Sequence, residues 1–166
     1  MYSMTKKKRN QLNRLAVFTL LFFVGFGSLL IHRAKLPLSE LIQIKEPLIG
    51  IDMIDGIGKY GRNYAVGLTI ENVDTKYGVY AGTKEQAKKT LTSFDVTINQ
   101  EYTFYVDPTV GNTVNGVNLG LRLIKNGEEI IFQESMKAHY GFGAIMISLG
   151  LIGSLSFYLI GKKKFG

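Results

Sequence analysis

The chain has no cysteine and no tryptophan among its 166 residues. The missing cysteine excludes a disulfide framework, a thiolate metal site, a nucleophilic thiol and a lipid-modified N-terminal cysteine. Negative charge is also scarce, with 13 Asp and Glu against 20 Lys and Arg, a formal net charge of +7. That surplus lies at the two ends. Lys6, Lys7, Lys8, Arg9 and Arg14 precede the first apolar run, and Lys162, Lys163 and Lys164 follow the last. Between Arg33 and Tyr140, 12 basic residues meet all 13 acids. The middle is therefore close to neutral, and the basic total does not mark a nucleic-acid binder.

What the chain does have is two long uncharged runs. Leu15 to Ile31 gives seventeen residues and Phe142 to Gly161 gives twenty, against the roughly 17–25 that cross a bilayer as a helix. The first run ends in Leu29, Leu30, Ile31, His32 and Arg33, with no small-x-small cleavage site, so it reads as an uncleaved anchor. Lys and Arg beside a span tend to stay in the cytoplasm. Both termini are accordingly expected there, in a bacterial inner or plasma membrane, with the middle outside. Arg33 and Lys35, just beyond the first run, oppose this orientation but are outnumbered.

The resulting layout is a basic cytoplasmic segment at 1–14, a transmembrane helix at 15–31, a stem at 32–47, a β domain at 48–139, a second transmembrane helix at 140–161 and a basic tail at 162–166. Runs rich in Val, Ile, Tyr, Phe and Thr predict strands at Leu48 to Met53, Tyr64 to Asn72, Tyr77 to Ala81, Phe94 to Ile98, Tyr102 to Val106, Val117 to Ile124 and Ile130 to Gln133. Val66, Leu68 and Ile70 alternate with Gly67, Thr69 and Glu71, as in a half-buried strand. Asn126-Gly127 predicts a type I′ hairpin with Lys125 facing Glu128, Leu123 facing Ile130 and Leu121 facing Phe132. Thr83 followed by Gln86 predicts a capping box on a short exposed helix ending near Leu91. Leu38 to Ile44 reads equally as a short helix after Pro37 or as an extended stem. The fold class expected is thus two transmembrane helices flanking a small, mainly antiparallel β domain, barrel or sandwich, with one short helix.

Several motifs suggest chemistry. Gly56-Ile57-Gly58-Lys59-Tyr60-Gly61 matches G-x-G-x-x-G, but a strand follows it where a phosphate-binding helix is required, so it reads as a glycine-rich link. His32 and His139 border the two runs, within conceivable reach of Glu40 or Glu134 for a metal or a pH sensor. Amphipathic groups at the headgroup level are the plainer reading. Ser135 and His139 would share a helix face, yet no G-x-S-x-G elbow accompanies them. Asp52, Asp55, Asp95 and Asp107 are ordinary strand-end acids. No cofactor, metal or catalytic group is expected.

Neither run contains Asp, Glu, Lys, Arg or His, which argues against transport by this chain alone. Gly25, Gly27 and Ser28 in the first run are small. Ala144 with Ser148, and Gly150 with Ser154, carry the small-xxx-small spacing in the second. These surfaces suit packing between the two helices, or against a partner or second copy. Tyr60, Tyr77 and Tyr80 are the candidate interface residues of the β domain.

The run YTFYVDP at Tyr102 to Pro108, after Asn99-Gln100-Glu101, resembles a segment of uncharacterised bacterial membrane-protein families with a small β domain between two transmembrane helices. This chain lacks their Gly-Asp turn and adds the Asn126-Gly127 hairpin before the second run. The resemblance implies a fold and a location and names no reaction. The function expected is non-catalytic binding of another protein by the outer domain, with membrane lipid and a homo-oligomer as further partners. The alternatives are an immunity or exclusion protein, a structural subunit of a membrane complex, and an envelope hydrolase or metal-dependent enzyme.

Overall fold

A computed structural model describes residues 2–165, with side chains from 6 to 163. The Lys164 side chain and the extreme ends of the two terminal segments lie outside that range. The chain divides into two compact units, one made of the residues up to Leu36 with those from Ser135 onward, the other of Pro37–Glu134.

The first unit is a pair of helices, α1 (Tyr2–Ala34) and α3 (Lys137–Phe165). Both are long and apolar enough to cross a membrane, and 11% of the most apolar window of each is buried. The pair meets along a seam in which small residues alternate with large ones. In α1 the inward residues Ala16, Leu20, Phe23 and Gly27 recur at alternating steps of four and three, as do Gly143, Met146, Gly150, Gly153 and Phe157 in α3. That is the 3.5-residue period of helices that wind around each other. A Cβ at Gly27 would lie 2.6 Å from the carbonyl oxygen of Gly143, and one at Gly150 would lie 2.8 Å from Cβ of Phe23.

The second unit is an eight-stranded sheet with one helix: β1 (Ile42–Ile57), β2 (Asn63–Ile70), β3 (Lys76–Gly82), α2 (Lys84–Ser93), β4 (Glu101–Val106), β5 (Thr113–Val114), β6 (Val117–Asn118), β7 (Leu121–Asn126) and β8 (Glu129–Gln133). A 3-10 turn at Leu38–Glu40 precedes β1. The strand order is β5-β6-β3-β2-β1-β4-β7-β8, antiparallel except for β3 with β6. The strands thus form one continuous, mainly antiparallel sheet.

Its shape follows from β1. Residues Ile42 to Pro47 pair with β4, and Leu48 to Ile57 pair with β2. At the handover Pro47, which has no N–H to give, accepts from Glu71 N–H, and Leu48 exchanges backbone bonds with Asn99 and Gln100. Ile49 is an extra residue between the Leu48 and Gly50 pairs, and such a bulge bends a strand. The two wings therefore share one core. Ile44, Phe104, Ile124 and Phe132 form a paired row across β1, β4, β7 and β8 and pack into the same cluster as Leu48, Val66, Leu68, Ile70 and Val79. Phe94 closes it, its ring stacked 4.6 Å from Phe132.

Four sequence expectations need correction here. The stem at 32–47 divides between α1, the 3-10 turn and β1, and Leu38 to Ile44 is neither wholly helix nor wholly extended. Phe94 to Ile98 is not a strand: Thr97 N–H donates to the Tyr102 hydroxyl, and Asn99, at φ 66°, turns the chain into β4. Val117 to Ile124 is two strands in different wings. The Asn118 side chain breaks it by accepting from Gly120 N–H and donating to the Val110 carbonyl, in place of a ladder partner.

The last hairpin turns one residue later than expected. Asn126 pairs with Glu129 and Lys125 with Ile130, so Gly127 and Glu128 are the central pair. Gly127 has φ 59° and Asn126 has no positive φ, which fits type II′ and not I′. A bulge at Ile131 then aligns Ile124 with Phe132. The core row overrides the turn preference. The type I′ Asn-Gly turn does occur, at Asn115-Gly116 between β5 and β6, with φ of 49° and 77°.

The expected short helix forms as read. Thr83 accepts from Gln86 N–H, and the Gln86 side chain accepts from Thr83 N–H, completing the capping box. Lys84, Glu85, Lys88 and Lys89 are exposed while Ala87 is buried against the sheet.

Candidate functional site

The strand pairings fix two opposite ends of the β unit. Ile42 pairs with Val106, Val106 with Leu121, and Glu134 N–H donates to the Arg122 carbonyl. The chain therefore enters and leaves the unit at one end. The β1–β2 turn lies at the far end of β1, sixteen residues along the strand.

That far turn is Gly58-Lys59-Tyr60-Gly61-Arg62, all of it exposed. Gly56, Gly58 and Gly61 hold φ between 61° and 85°, a region costly for a side chain, and Gly61 N–H donates to the Gly58 carbonyl. Tyr60 is 75% exposed with the Lys59 ammonium 5.5 Å from its ring centre. The turn is anchored from outside. Asn115 donates to the carbonyls of Asp55 and Gly56 at 3.1 and 2.9 Å, so the β5–β6 turn braces its base. Because β2 follows this turn, the G-x-G-x-x-G match is a strand connection, as its context suggested.

Tyr80 is 55% exposed and pairs with Ala65, toward the same end, where Lys84 opens α2. Tyr77 is different. It is half-buried and packs against the core, so it offers little to a partner. The far end thus carries two exposed tyrosines with Lys59, Arg62 and Lys84.

The near end carries a buried charge cluster. Asp107, 1% exposed, accepts from Arg122 and from both the N–H and the hydroxyl of Thr109. Arg122 also donates to Glu134 at 2.8 Å. Arg122 sits at a bulge between the Tyr105–Leu123 and Val106–Leu121 pairs, which explains why an arginine inside a buried strand points into a polar site. Sequence pattern placed Asp107 among ordinary strand-end acids and missed Arg122. Asp52 is engaged on the surface by Lys76 at 2.8 Å. Asp55 and Asp95 are exposed.

In the helical unit, His32 is exposed on the last turn of α1 and His139 is half-buried in the first turn of α3, its Nδ1 buried without a hydrogen-bond partner. Among the described residues no group of three or more His, Asp or Glu side chains could hold a metal. Ser135 precedes α3 and does not share a helix face with His139. Of the small residues, Gly150 lies in the seam and Ser154 beside it, whereas Ala144 and Ser148 are exposed and Gly25 has nothing near it. Gly143 and Gly153, which no spacing rule singled out, complete the seam with Gly27.

No family model, curated protein or solved structure matches this chain. The reading of function therefore rests on the residues themselves.

Proposed function

We propose that this chain is a two-pass bacterial membrane protein, with both termini in the cytoplasm, whose β unit is displayed outside and binds another protein without catalysis. The observation that carries the binding is the far turn. An exposed tyrosine sits there on a glycine turn braced by Asn115, with cations on either side. Aromatic and arginine side chains on a preorganised support are what binding hot spots use. A partner face with acidic groups complements Lys59, Arg62 and Lys84. What supports the membrane reading is that the helices leave most of their apolar surface uncovered, with basic residues beyond both outer ends.

The missing cysteines supply the test of topology. A single cysteine at Lys88, exposed on α2, should react with a membrane-impermeant maleimide in intact cells, and one at Lys163 only after lysis; the reverse pattern refutes the orientation. A photocrosslinking residue at position 60 should then give a discrete protein adduct, and one at Lys88 should not. Equal diffuse labelling at both positions counts against a binding tip.

A second reading is a structural subunit of a membrane complex, favoured by one observation. Ala144 and Ser148 face away from α1, leaving a small-residue face free for another helix.

A further inference from the structure

Two adjoining grooves run along α1 in the helical unit. The larger, about 800 Å³, has Lys8 and Gln11 at one end and Leu15 and Phe18 at the other, with Leu12, Arg14 and Ile160 of α3 between them. The smaller, about 430 Å³, lies along Asn13, Val17 and Leu21 and shares Arg14 and Phe18 with the first. Neither lining includes an acid. From Lys8 to Phe18 is ten residues, about 15 Å of helix, over which the wall passes from cationic to wholly apolar.

We propose that these grooves hold one anionic phospholipid, its phosphate at Arg14 and Lys8 and its two acyl chains on either side of Phe18. This rests on the membrane reading above. Three features match that occupant together: cations from Arg14 back to Lys8 and none beyond, apolar walls at Phe18 and past it, and a fork in which one arginine and one phenylalanine border both grooves. A soluble anion uses only the first of these. A zwitterionic lipid offers a phosphate already offset by its own ammonium and so leaves Lys8 and Arg14 without a net counter-charge, and a protein helix does not divide around Phe18.

The chain's lack of tryptophan makes the test direct. The full chain carrying Phe18→Trp, or Ile152→Trp on the exposed face of α3, is reconstituted in phosphatidylcholine containing a minor fraction of phosphatidylglycerol. Quenching is compared when one lipid or the other carries brominated acyl chains. The expected result is that brominated phosphatidylglycerol quenches position 18 well beyond its mole fraction and position 152 in proportion to it. Arg14→Gln should lower the preference at position 18 about fivefold, the effect of one basic side chain at an anionic surface, while Arg14→Lys retains most of it. Lys163→Gln, outside both grooves, should leave it unchanged. Equal losses from Arg14→Gln and Lys163→Gln would show diffuse attraction to the basic ends and overturn the site. Competition by inorganic phosphate would show a free-anion site and overturn the lipid assignment. If brominated phosphatidylcholine fails to quench position 152, the membrane reading falls and the proposal with it; quenching there without preference at position 18 removes the proposal alone.

Discussion

Arg122→Met should be among the most damaging single changes in the β unit. The Arg122 side chain is 10% exposed and stands between Asp107, whose side chain is fully buried, and Glu134, at 25%. Breaking a buried pair by removing one partner costs about 3–5 kcal/mol, because the other charge is left without compensation. Here the loss should sit at the lower end, since Asp107 keeps the N–H and hydroxyl of Thr109 and Glu134 is partly solvated. The surface pair Lys76–Asp52, more than a third exposed on both sides, gives the contrast, and Lys76→Met should cost about 0–1 kcal/mol. Six of the nine tyrosines lie in the β unit, so near-ultraviolet circular dichroism of the full chain in detergent follows its unfolding by urea. With a slope of about 2 kcal/mol per molar for a unit of this size, Arg122→Met should lower the midpoint by about 1.5 M. Adding Asp107→Asn and Glu134→Gln removes the two carboxylate charges that faced Arg122 and should restore most of it. A shift of Arg122→Met no larger than that of Lys76→Met would refute the reasoning, as would a triple variant less stable than the single one.

The helix seam is tested by Thr19→Cys with Gly153→Cys, since a Cβ at Gly153 would lie 3.2 Å from Cγ2 of Thr19. Oxidation should give an intramolecular disulfide that Gly150→Leu abolishes and Gly25→Leu leaves intact; equal yields in both backgrounds contradict the seam. Gly127→Ala, at φ 59°, should cost about 1–2 kcal/mol in urea unfolding and Asn126→Ala little, whereas comparable losses would restore the type I′ turn at Asn126-Gly127. Phe94→Ala should cost about 3–5 kcal/mol by removing a buried ring stacked on Phe132, and a loss under about 1 kcal/mol would place Phe94 outside the core. Thr83→Ala should cost about 1 kcal/mol through the lost cap, and an unchanged midpoint would show that the cap is dispensable.

Features set by neighbours along the chain were legible in advance. The capping box at Thr83 and Gln86 spans only two intervening residues, and the core set Val66, Leu68 and Ile70 is decided within one strand, although Ala65 and Gly67 on its other face are buried as well and the strand is not half-buried as expected. What could not be read depends on partners far off. The same dipeptide, Asn-Gly, makes the I′ turn at 115 and not at 126, because in the second case Phe132 must reach the row that Ile44, Phe104 and Ile124 begin. The start of β1 was hidden because residues 42–47 gain a partner only when β4 arrives some sixty residues later. The far turn was half legible. Tyr60 stood out as an exposed aromatic, but nothing near it in sequence foretells the brace from Asn115. For the helices, small-xxx-small spacing singled out Gly150, which is in the seam, but also Ala144 and Ser148, which are exposed, because the observed seam follows a seven-residue period that runs from Gly143 to Gly150.

The antiparallel seam also sets a timetable. Gly27 packs against Gly143, 116 residues later in the chain. At about 5–20 residues per second, α1 waits roughly 6–23 s after leaving the ribosome before its intended neighbour exists. Throughout that interval its flat strip from Ala16 to Gly27 is open to any other helix that passes. The β unit emerges within the same window, and its closure brings the segment before α3 back to the end where β1 begins. The order of synthesis thus makes the β unit the natural timer for helix pairing, and a slow-folding variant of it should lengthen the period in which α1 can be captured by the wrong companion.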